Sequence, residues 1–395
     1  METVIALCGI GVEKVVSNEI RKFNGNYRIL GGGFGKVRFE TDIPGIYRAL
    51  MALRGADRLL LEAGLFPATD FDALFEGVKT IPWEAWIPAG MGIRVAKVRS
   101  NRSKLQGSTT IQAMTHKAAA DRLCEKYRQA RLEETGPQAE LRVYVEKDQV
   151  SVLLDLSGEP LFKRGYRTEG GAAPLRETAA AALLFLSNWR RKFPLYDPFC
   201  GSGTIAIEAA LYAWDAAPGL GRRFALSDLI PANAETETAI RQELRSRVNF
   251  ERTIRIYGSD ADTRSVSMAK SNMRRAYELA QGKSPGEGIR REIQLPWLPD
   301  FRTVPMKAAR APEGLSGERG FIITNPPYGK RLGELSEAEA IYGDMADIGG
   351  RFPQWKLALI TDHPGFESHF GKKADSCREL TNGALDLYFY EYETL

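Results

Sequence analysis

The segment LYDPFCGSGTIAIEAAL (Leu195–Leu211) constrains this chain more than any other. A short apolar run ends at Asp197, a loop carrying Gly201 and Gly203 follows, and an unbroken helical pattern begins at Thr204. Strand, glycine loop and helix in direct succession are the opening unit of a doubly wound α/β sheet. The residues around it keep the alternation. RETAAAALLFLSNW precedes it as a helix, IRIYGSD, FIITNPP and WKLALIT read as strands, and RSVSMAKSNMRRAYELA reads as a helix after the first of these. Strands separated by helices predict parallel pairing. The end of the chain departs from this. In SCRELTNGALDLYFYEYE, Asn382–Gly383 divides two strand-like runs, a type I′ hairpin signal. A parallel sheet closed by an antiparallel strand is expected over residues 161–395.

The loop points to a ligand. Gly201 and Gly203 let the backbone approach one closely, and a helix N-terminus favours a carboxylate or phosphate. The Gly-Lys-Ser/Thr of a P-loop is missing, while a dinucleotide site stays open on the loop alone. Asp260, which ends IRIYGSD, can accept from both hydroxyls of a ribose. It lies far beyond the roughly 20-residue separation of a dinucleotide site, so a nucleoside fits better. The stretch AWDAAPGLGRRFALSDL accounts for the distance as an insertion. Asp262 stands one step further into the turn, which makes Asp260 the preferred carboxylate. Asp300, in LPDFR, is a candidate acceptor for an adenine 6-amino group, after a strand pattern broken by two prolines. Cys200 lies in the loop, away from the expected target pocket, and reads as packing rather than as a nucleophile.

FIITNPPYGK places Asn325, Pro326, Pro327 and Tyr328 at the C-terminal end of a buried strand, the edge where open α/β sheets bind ligands. An aromatic amine is a poor nucleophile because its lone pair is delocalised into the ring. Two acceptors on its two hydrogens can pyramidalise the nitrogen and aim the lone pair. Asn325 offers its side-chain oxygen and Pro326 its carbonyl. Proline adds a fixed φ and no competing donor. Tyr328 offers a face for a planar base. Orientation and electrostatics carry such a step without a strong general base. The chemistry expected is methyl transfer from S-adenosylmethionine to an exocyclic amino nitrogen.

The N-terminal half is organised differently. IALC, VEKVVSNEIRKF, YRILGG, KVRFET, IPGIYRALMAL and RLLLEAGLF give the order β-α-β-β-α-β over residues 1–66, the ferredoxin-like plan, with a hairpin through Gly33–Gly35. Gly9-x-Gly11 is too short for a nucleotide fingerprint and reads as a tight turn. A second α+β unit follows over 67–160. It holds the helix FDALFEGVKTI, the strand GIRVAKVRS, the polar loop NRSKLQGSTT, the helix IQAMTHKAAADRLCEKYRQA and a hairpin turning at Lys147–Gln149. LFKRGYRTEGGAAPL reads as the linker to the C-terminal half. Between Arg94 and Arg131 ten basic residues stand against two acidic ones, although the whole chain carries only +4. That excess points to a polyanion, with a solvated helix face as the plain alternative. Arg99, Arg102 and Lys104 fall on a strand end and loop suited to phosphate contacts.

Composition excludes several classes. No apolar run reaches the ~20 residues of a membrane span. METVIALCGIGVEK lacks a basic n-region and meets Glu13 early, so neither a signal peptide nor a membrane partner is expected, and the cytoplasm is the expected location. Cys8, Cys124, Cys200 and Cys377 form no C-x-x-C pair, and three histidines are few for zinc, so reduced thiols and no metal are expected.

DPFCGSGTIAIEAA, AAPGLGRRFA, GSDAD and TNPPYGKRLGE together resemble the RlmL-type ribosomal RNA guanine-N(2)-methyltransferases, and KRGYRTEGGAAPLRETAAAALL adds to the likeness. The resemblance covers nearly the whole chain. It implies a ferredoxin-like unit and a THUMP RNA-binding domain ahead of a class I, Rossmann-like methyltransferase domain. It also implies 23S rRNA, free or in a pre-50S particle, as the partner. By that likeness Asp197, Gly201, Gly203, Thr204, Asp260 and Asp300 line S-adenosylmethionine, and Asn325–Tyr328 receive the target base. The large enteric members carry a second methyltransferase domain, and a single reaction is expected of this chain. Three rivals remain: an adenine 6-amino methyltransferase on RNA or DNA, a non-catalytic RNA-binding assembly factor, and a protein-glutamine methyltransferase. The intact Asn325 and glycines count against the second, and the basic arm against the third.

Overall fold

The N-terminal strands build one continuous sheet rather than two. In the computed structural model, whose described residues are 1–132, 135–167, 175–283, 298–315, 317–327, 335–382 and 385–395, the first half runs β1 (Glu2–Leu7), α1 (Glu13–Arg21), β2 (Arg28–Gly33), β3 (Lys36–Thr41), α2 (Ile43–Ala52), β4 (Arg58–Pro67), α3 (Phe71–Thr80), β5 (Gly92–Asn101), α4 (Ser108–Tyr127), β6 (Gln138–Glu146) and β7 (Gln149–Asp155). The order across the sheet is β2-β3-β1-β4-β7-β6-β5. The first four strands are the expected ferredoxin-like set. β4 then pairs antiparallel with β7 from Leu60 to Pro67, so the sheet continues past residue 66 into the second unit.

Period-two alternation decides what this sheet shows to solvent. Val4, Phe39, Leu61, Val143 and Val152 point toward the helices and join the main core. Their neighbours Ile5, Leu60 and Leu153 form a small cluster of their own on the opposite face. Lys36, Arg38, Arg58, Arg142 and Tyr144 alternate onto that second face.

The second half runs α5 (Glu177–Leu186), β8 (Leu195–Asp197), α6 (Thr204–Ala213), α7 (Ala234–Ser246), β9 (Ile256–Asp260), α8 (Thr263–Ala280), β10 (Asp300–Thr303), β11 (Phe321–Thr324), α9 (Leu335–Asp344), α10 (Ile348–Arg351), β12 (Lys356–Thr361), α11 (Phe366–Phe370), β13 (Ser376–Asn382) and β14 (Leu385–Tyr392). Its sheet has the order β10-β9-β8-β11-β12-β14-β13. β8 to β12 pair in parallel, and β14 pairs antiparallel with both β12 and β13. This is the expected doubly wound sheet with an antiparallel strand. Asn382 and Leu385 are paired across the hairpin, and its turn at 383–384 lies outside the described residues.

The stretch read as a mere insertion is the seam between the halves. Gly219 donates its N–H to the Met51 carbonyl at 2.8 Å. A Cβ there would stand 2.7 Å from Met51 Cα, so only glycine permits this approach. Arg48 grips Glu243 with both guanidinium nitrogens at 2.5 Å. Ile10 and Thr381 join the turn after β1 to β13. Among the described residues no helix is long and apolar enough to cross a membrane.

Candidate functional site

β8 and β11 are parallel neighbours at the middle of the second sheet, so Asp197 and Asn325 emerge from the same edge. Between them lies a cavity of about 80 Å³, walled by Leu175, Asp197, the loop Phe199–Ser202, Thr204 and Asn325. The two motifs read separately in the sequence therefore face one space.

Each loop glycine has its own reason. Gly201 has φ +50, and no atom lies within 4 Å of where its Cβ would stand, so the backbone there borders open space. Gly203, at φ +86, would put a Cβ 2.9 Å from the Ala269 Cβ and 3.1 Å from the Phe301 ring. The first glycine leaves room for a ligand, and the second lets α6 start against α8 and β10. The Thr204 hydroxyl accepts from Arg167 at 2.6 Å.

The carboxylates divide their work. Asp260 accepts from Gly201 N–H at 2.9 Å with one oxygen and from Asp262 N–H at 3.0 Å with the other. Each oxygen keeps lone pairs for further donors. Asp262 caps α8 by accepting from the Arg264 and Ser265 amides. Asp197 is buried, accepting from the Thr324 hydroxyl at 2.6 Å and Phe199 N–H at 3.2 Å. Burial pushes its carboxyl up to about 7 against those bonds, and the charge of Asp260 adds to the rise. The Cys200 thiol is driven well above its ordinary range by burial, then by Asp197 and Asp260, which leaves it without thiolate character.

Asp300, like Asp260, is not among the residues that wall this cavity. It begins β10 level with Tyr257, whereas Thr303 is level with Asp260 at the ligand-binding edge. Three residues of strand span roughly 10 Å, and the Asp300 carboxylate is paired with Arg302 at 2.7 Å. The strand pattern before it is broken by two prolines, and pairing with β9 starts at Asp300 itself.

The Asn325 side-chain oxygen is buried and has no hydrogen-bond partner among the described residues. An unsatisfied buried acceptor costs stability, so it calls for a donor supplied from outside. The Pro327 carbonyl accepts from the Tyr342 hydroxyl at 3.3 Å, which ties the turn to α9. Tyr328 lies outside the described residues.

On the other half, Arg99 and Arg102 line a cleft of about 970 Å³ on the second face of the N-terminal sheet, and Lys104 is exposed beside it. Lys36, Lys97, Arg142 and Phe34 also line it. Composition by segment marked Lys97 but not Lys36, Arg142 or Phe34, which come from other strands and a turn far apart in the chain. Elsewhere, Glu339 meets the Nε2 atoms of His363 and His369, each at 3.4 Å. His363 Nδ1 accepts from Gly365 N–H at 3.0 Å, and the ligand atoms of Glu339, His363 and His369 lie within 4.8 Å of one another.

Comparison with known families matches residues 164–281 and 300–391 to the family described as RMKL-like, methyltransferase domain. The chain belongs to this methyltransferase family. Residues 3–60 match the RlmL ferredoxin-like domain and 68–155 the THUMP domain. “Putative RNA methyltransferase YpsC” of Bacillus subtilis (strain 168) is 36% identical over 99% of this chain and 95% of its own length. “Ribosomal RNA large subunit methyltransferase K/L” of Syntrophotalea carbinolica is 32% identical, over 97% of this chain and 52% of that protein. The chain thus spans about half the length of the K/L relatives. Among solved structures, “Crystal structure of SMU.472, a putative methyltransferase complexed with SAH” aligns with TM-score 0.86 and 33% identity over 100% of this chain and 98% of that one. A predicted N6-adenine-specific DNA methylase from Listeria monocytogenes aligns with TM-score 0.86 and 36% identity over 100% and 96%. The class I fold expected from the glycine loop is therefore that of the family.

Proposed function

We propose that this methyltransferase places a methyl group on the exocyclic 2-amino group of a guanine in 23S rRNA, in the cytoplasm. The observation that carries the amine is the buried oxygen of Asn325, without a partner among the described residues, in the wall of the same cavity as the glycine loop. The methyl donor is S-adenosylmethionine, whose product form accompanies the SMU.472 relative. The residues present suit it. The open space at Gly201 admits a ligand, Asp260 has lone pairs for ribose hydroxyls, and the buried Asp197 carboxyl suits an ammonium. When bound, the donor supplies a methyl group made electrophilic by a positive sulfur. Asn325 accepts one hydrogen of the target amine, the Pro326 carbonyl accepts the other, and Tyr328 stacks on the base. The nitrogen gains the methyl and sheds one proton to solvent. The THUMP match, the basic loop of Arg99, Arg102 and Lys104, and the ribosomal RNA relatives support RNA as substrate.

Guanine rests on the RlmL likeness. The adenine reading draws support from the adenine-specific name of the Listeria relative. Incubating ribosomal RNA with labelled donor, digesting it and separating the nucleosides decides between them. Label in N(2)-methylguanosine is expected, and label in 6-methyladenosine overturns the guanine assignment.

Asp260→Ala should weaken donor binding by about 1–3 kcal/mol, the scale of charge-assisted hydrogen bonds. Unchanged affinity by calorimetry would place the ribose carboxylate elsewhere. Asp197 predicts a proton effect. Its raised carboxyl is protonated in the free protein below about pH 7, and an ammonium beside it favours the ionised form. Donor binding at about pH 6 should release a proton that is not released at about pH 8.5. Calorimetry in buffers of different ionisation enthalpy reads this directly, and Asp197→Asn should abolish it. Because the folded-state value is raised, protonated Asp197 favours the native state at low pH, and that contribution is lost as pH rises toward about 7.

Replacing Arg99, Arg102 and Lys104 together with Ala should lower the slope of log affinity against log salt by about 2–3 if all three touch phosphate. An unchanged slope would return this segment to an ordinary solvated surface.

A further inference from the structure

The second face of the N-terminal sheet carries a cleft of about 970 Å³ lined by eight basic residues and two acidic ones. Arg58 and Arg142 are neutralised from within, both by Asp155, and Arg176 pairs with Asp57. Lys36, Lys97, Arg99 and Arg102 have no ion pair among the described residues. Burial and the neighbouring Arg99 hold the Lys97 ammonium below its ordinary value, with Arg142 and Arg58 adding to the effect. Lys36 lies 4.7 Å from the centre of the Tyr144 ring and is likewise lowered by burial. Positive charge outweighs negative here, with Glu146 the acidic lining residue that acts on Lys36, and an anionic strand would relieve the excess.

The lip of the cleft is unusual. Phe34 sits at the β2–β3 turn with φ +51 and is 91% exposed. Such turns favour asparagine or glycine, and a bulky residue at positive φ is an outlier. Its ring buries nothing in the fold, so folding does not account for it. Arg176 also lines the cleft; it lies 4.7 Å from the centre of the Phe162 ring and directly follows Leu175 in the chain. Leu175 is a wall of the cavity that holds Asn325. Cleft and catalytic cavity thus share one stretch of chain.

We propose that an unpaired RNA strand enters along this cleft, its phosphates on Lys36 and Lys97 and one base stacked on Phe34, and is led past Arg176 to Asn325. This rests on the RNA methyltransferase reading and adds the strand's form and path. The concave shape and the exposed ring favour a single strand, because a duplex keeps its base faces stacked within itself.

The test uses the full chain and two probes, a short unstructured RNA and a blunt RNA duplex of equal length, followed by fluorescence anisotropy over a salt series. Phe34→Ala should weaken the unstructured RNA about 5- to 150-fold, the range of a lost base–aromatic stack, without altering the salt slope. Phe34→Trp should restore it. Lys36→Ala with Lys97→Ala should lower the slope by about 1.4. Duplex binding should be weaker and indifferent to Phe34. Circular dichroism checks that each variant is folded, and the exposure of Phe34 makes its loss harmless to the core. Unchanged single-strand affinity in Phe34→Ala overturns the path, and so does duplex binding tighter than single-strand binding. In either case salt-dependent RNA binding leaves the RNA reading standing. If neither probe binds, both readings fall together.

Discussion

Asn325→Ala should leave the protein folded and able to bind S-adenosylmethionine while its kcat falls about 100- to 1000-fold. The magnitude is that of removing one fixed hydrogen-bond partner from a developing charge. The placement of the loss follows from geometry. The Asn325 oxygen is buried in the wall of the shared cavity with no protein donor among the described residues. Removing it leaves no orphaned donor behind, so the fold should tolerate the change. On the proposed reading the target amine is the donor it lacks, and that bond would matter most as the nitrogen pyramidalises. The loss therefore belongs in kcat rather than in the affinity for RNA or donor. Single-turnover transfer of labelled methyl to ribosomal RNA gives the rate, and calorimetry gives donor affinity. A variant with near-wild-type kcat sinks the mechanism, and one that no longer binds the donor reassigns Asn325 to the cofactor.

What the sequence revealed was local chemistry. The glycine loop and the Asn-Pro-Pro-Tyr run are each contiguous, and each follows a strand whose direction decides the edge it reaches, so their meeting at one cavity was predictable from parallel pairing. The placement of Asp300 was not legible because strand register is a tertiary property. The pairing that puts Thr303, not Asp300, level with Asp260 is invisible to spacing. The cleft was half visible. A charge excess marked Arg99 and Arg102, but Lys36 and Arg142 join them only because alternating strands expose one face of a sheet spanning two units. Helix α7 did leave a signal that went unread. Asn233 caps it, Glu235 and Glu237 fill its first turn, and Ile240 and Leu244 give it a buried stripe. Its surroundings drew attention as an insertion, whereas Gly219 and Glu243 make that region the join between the halves.

That join yields the last prediction: Arg164→Met should destabilise the protein by about 3–5 kcal/mol, the usual result of stranding one member of a buried ion pair. Arg164 and Glu208 are both buried and meet at 3.4 Å, with the Tyr166 hydroxyl donating to the same carboxylate oxygen at 3.2 Å. Arg164 also donates to the Leu161 carbonyl at 2.8 Å and the Arg54 carbonyl at 2.6 Å. Arg54 in turn donates to the Ala216 carbonyl at 2.6 Å, and its own amide is received by Glu19 at 2.9 Å. One guanidinium therefore ties the ferredoxin-like unit, the junction segment and helix α6 together. A methionine fills much of the volume but takes from Glu208 its salt-bridged cation and from two carbonyls this donor. Replacing both partners, as Arg164→Met with Glu208→Met, removes the stranded charge, so the double variant should be more stable than the single one. Urea denaturation followed by circular dichroism measures both. A single variant within about 1 kcal/mol of the parent, or a double variant whose losses merely add, would mean that these charges are not held together in the interior and that the seam is fixed by its apolar contacts alone.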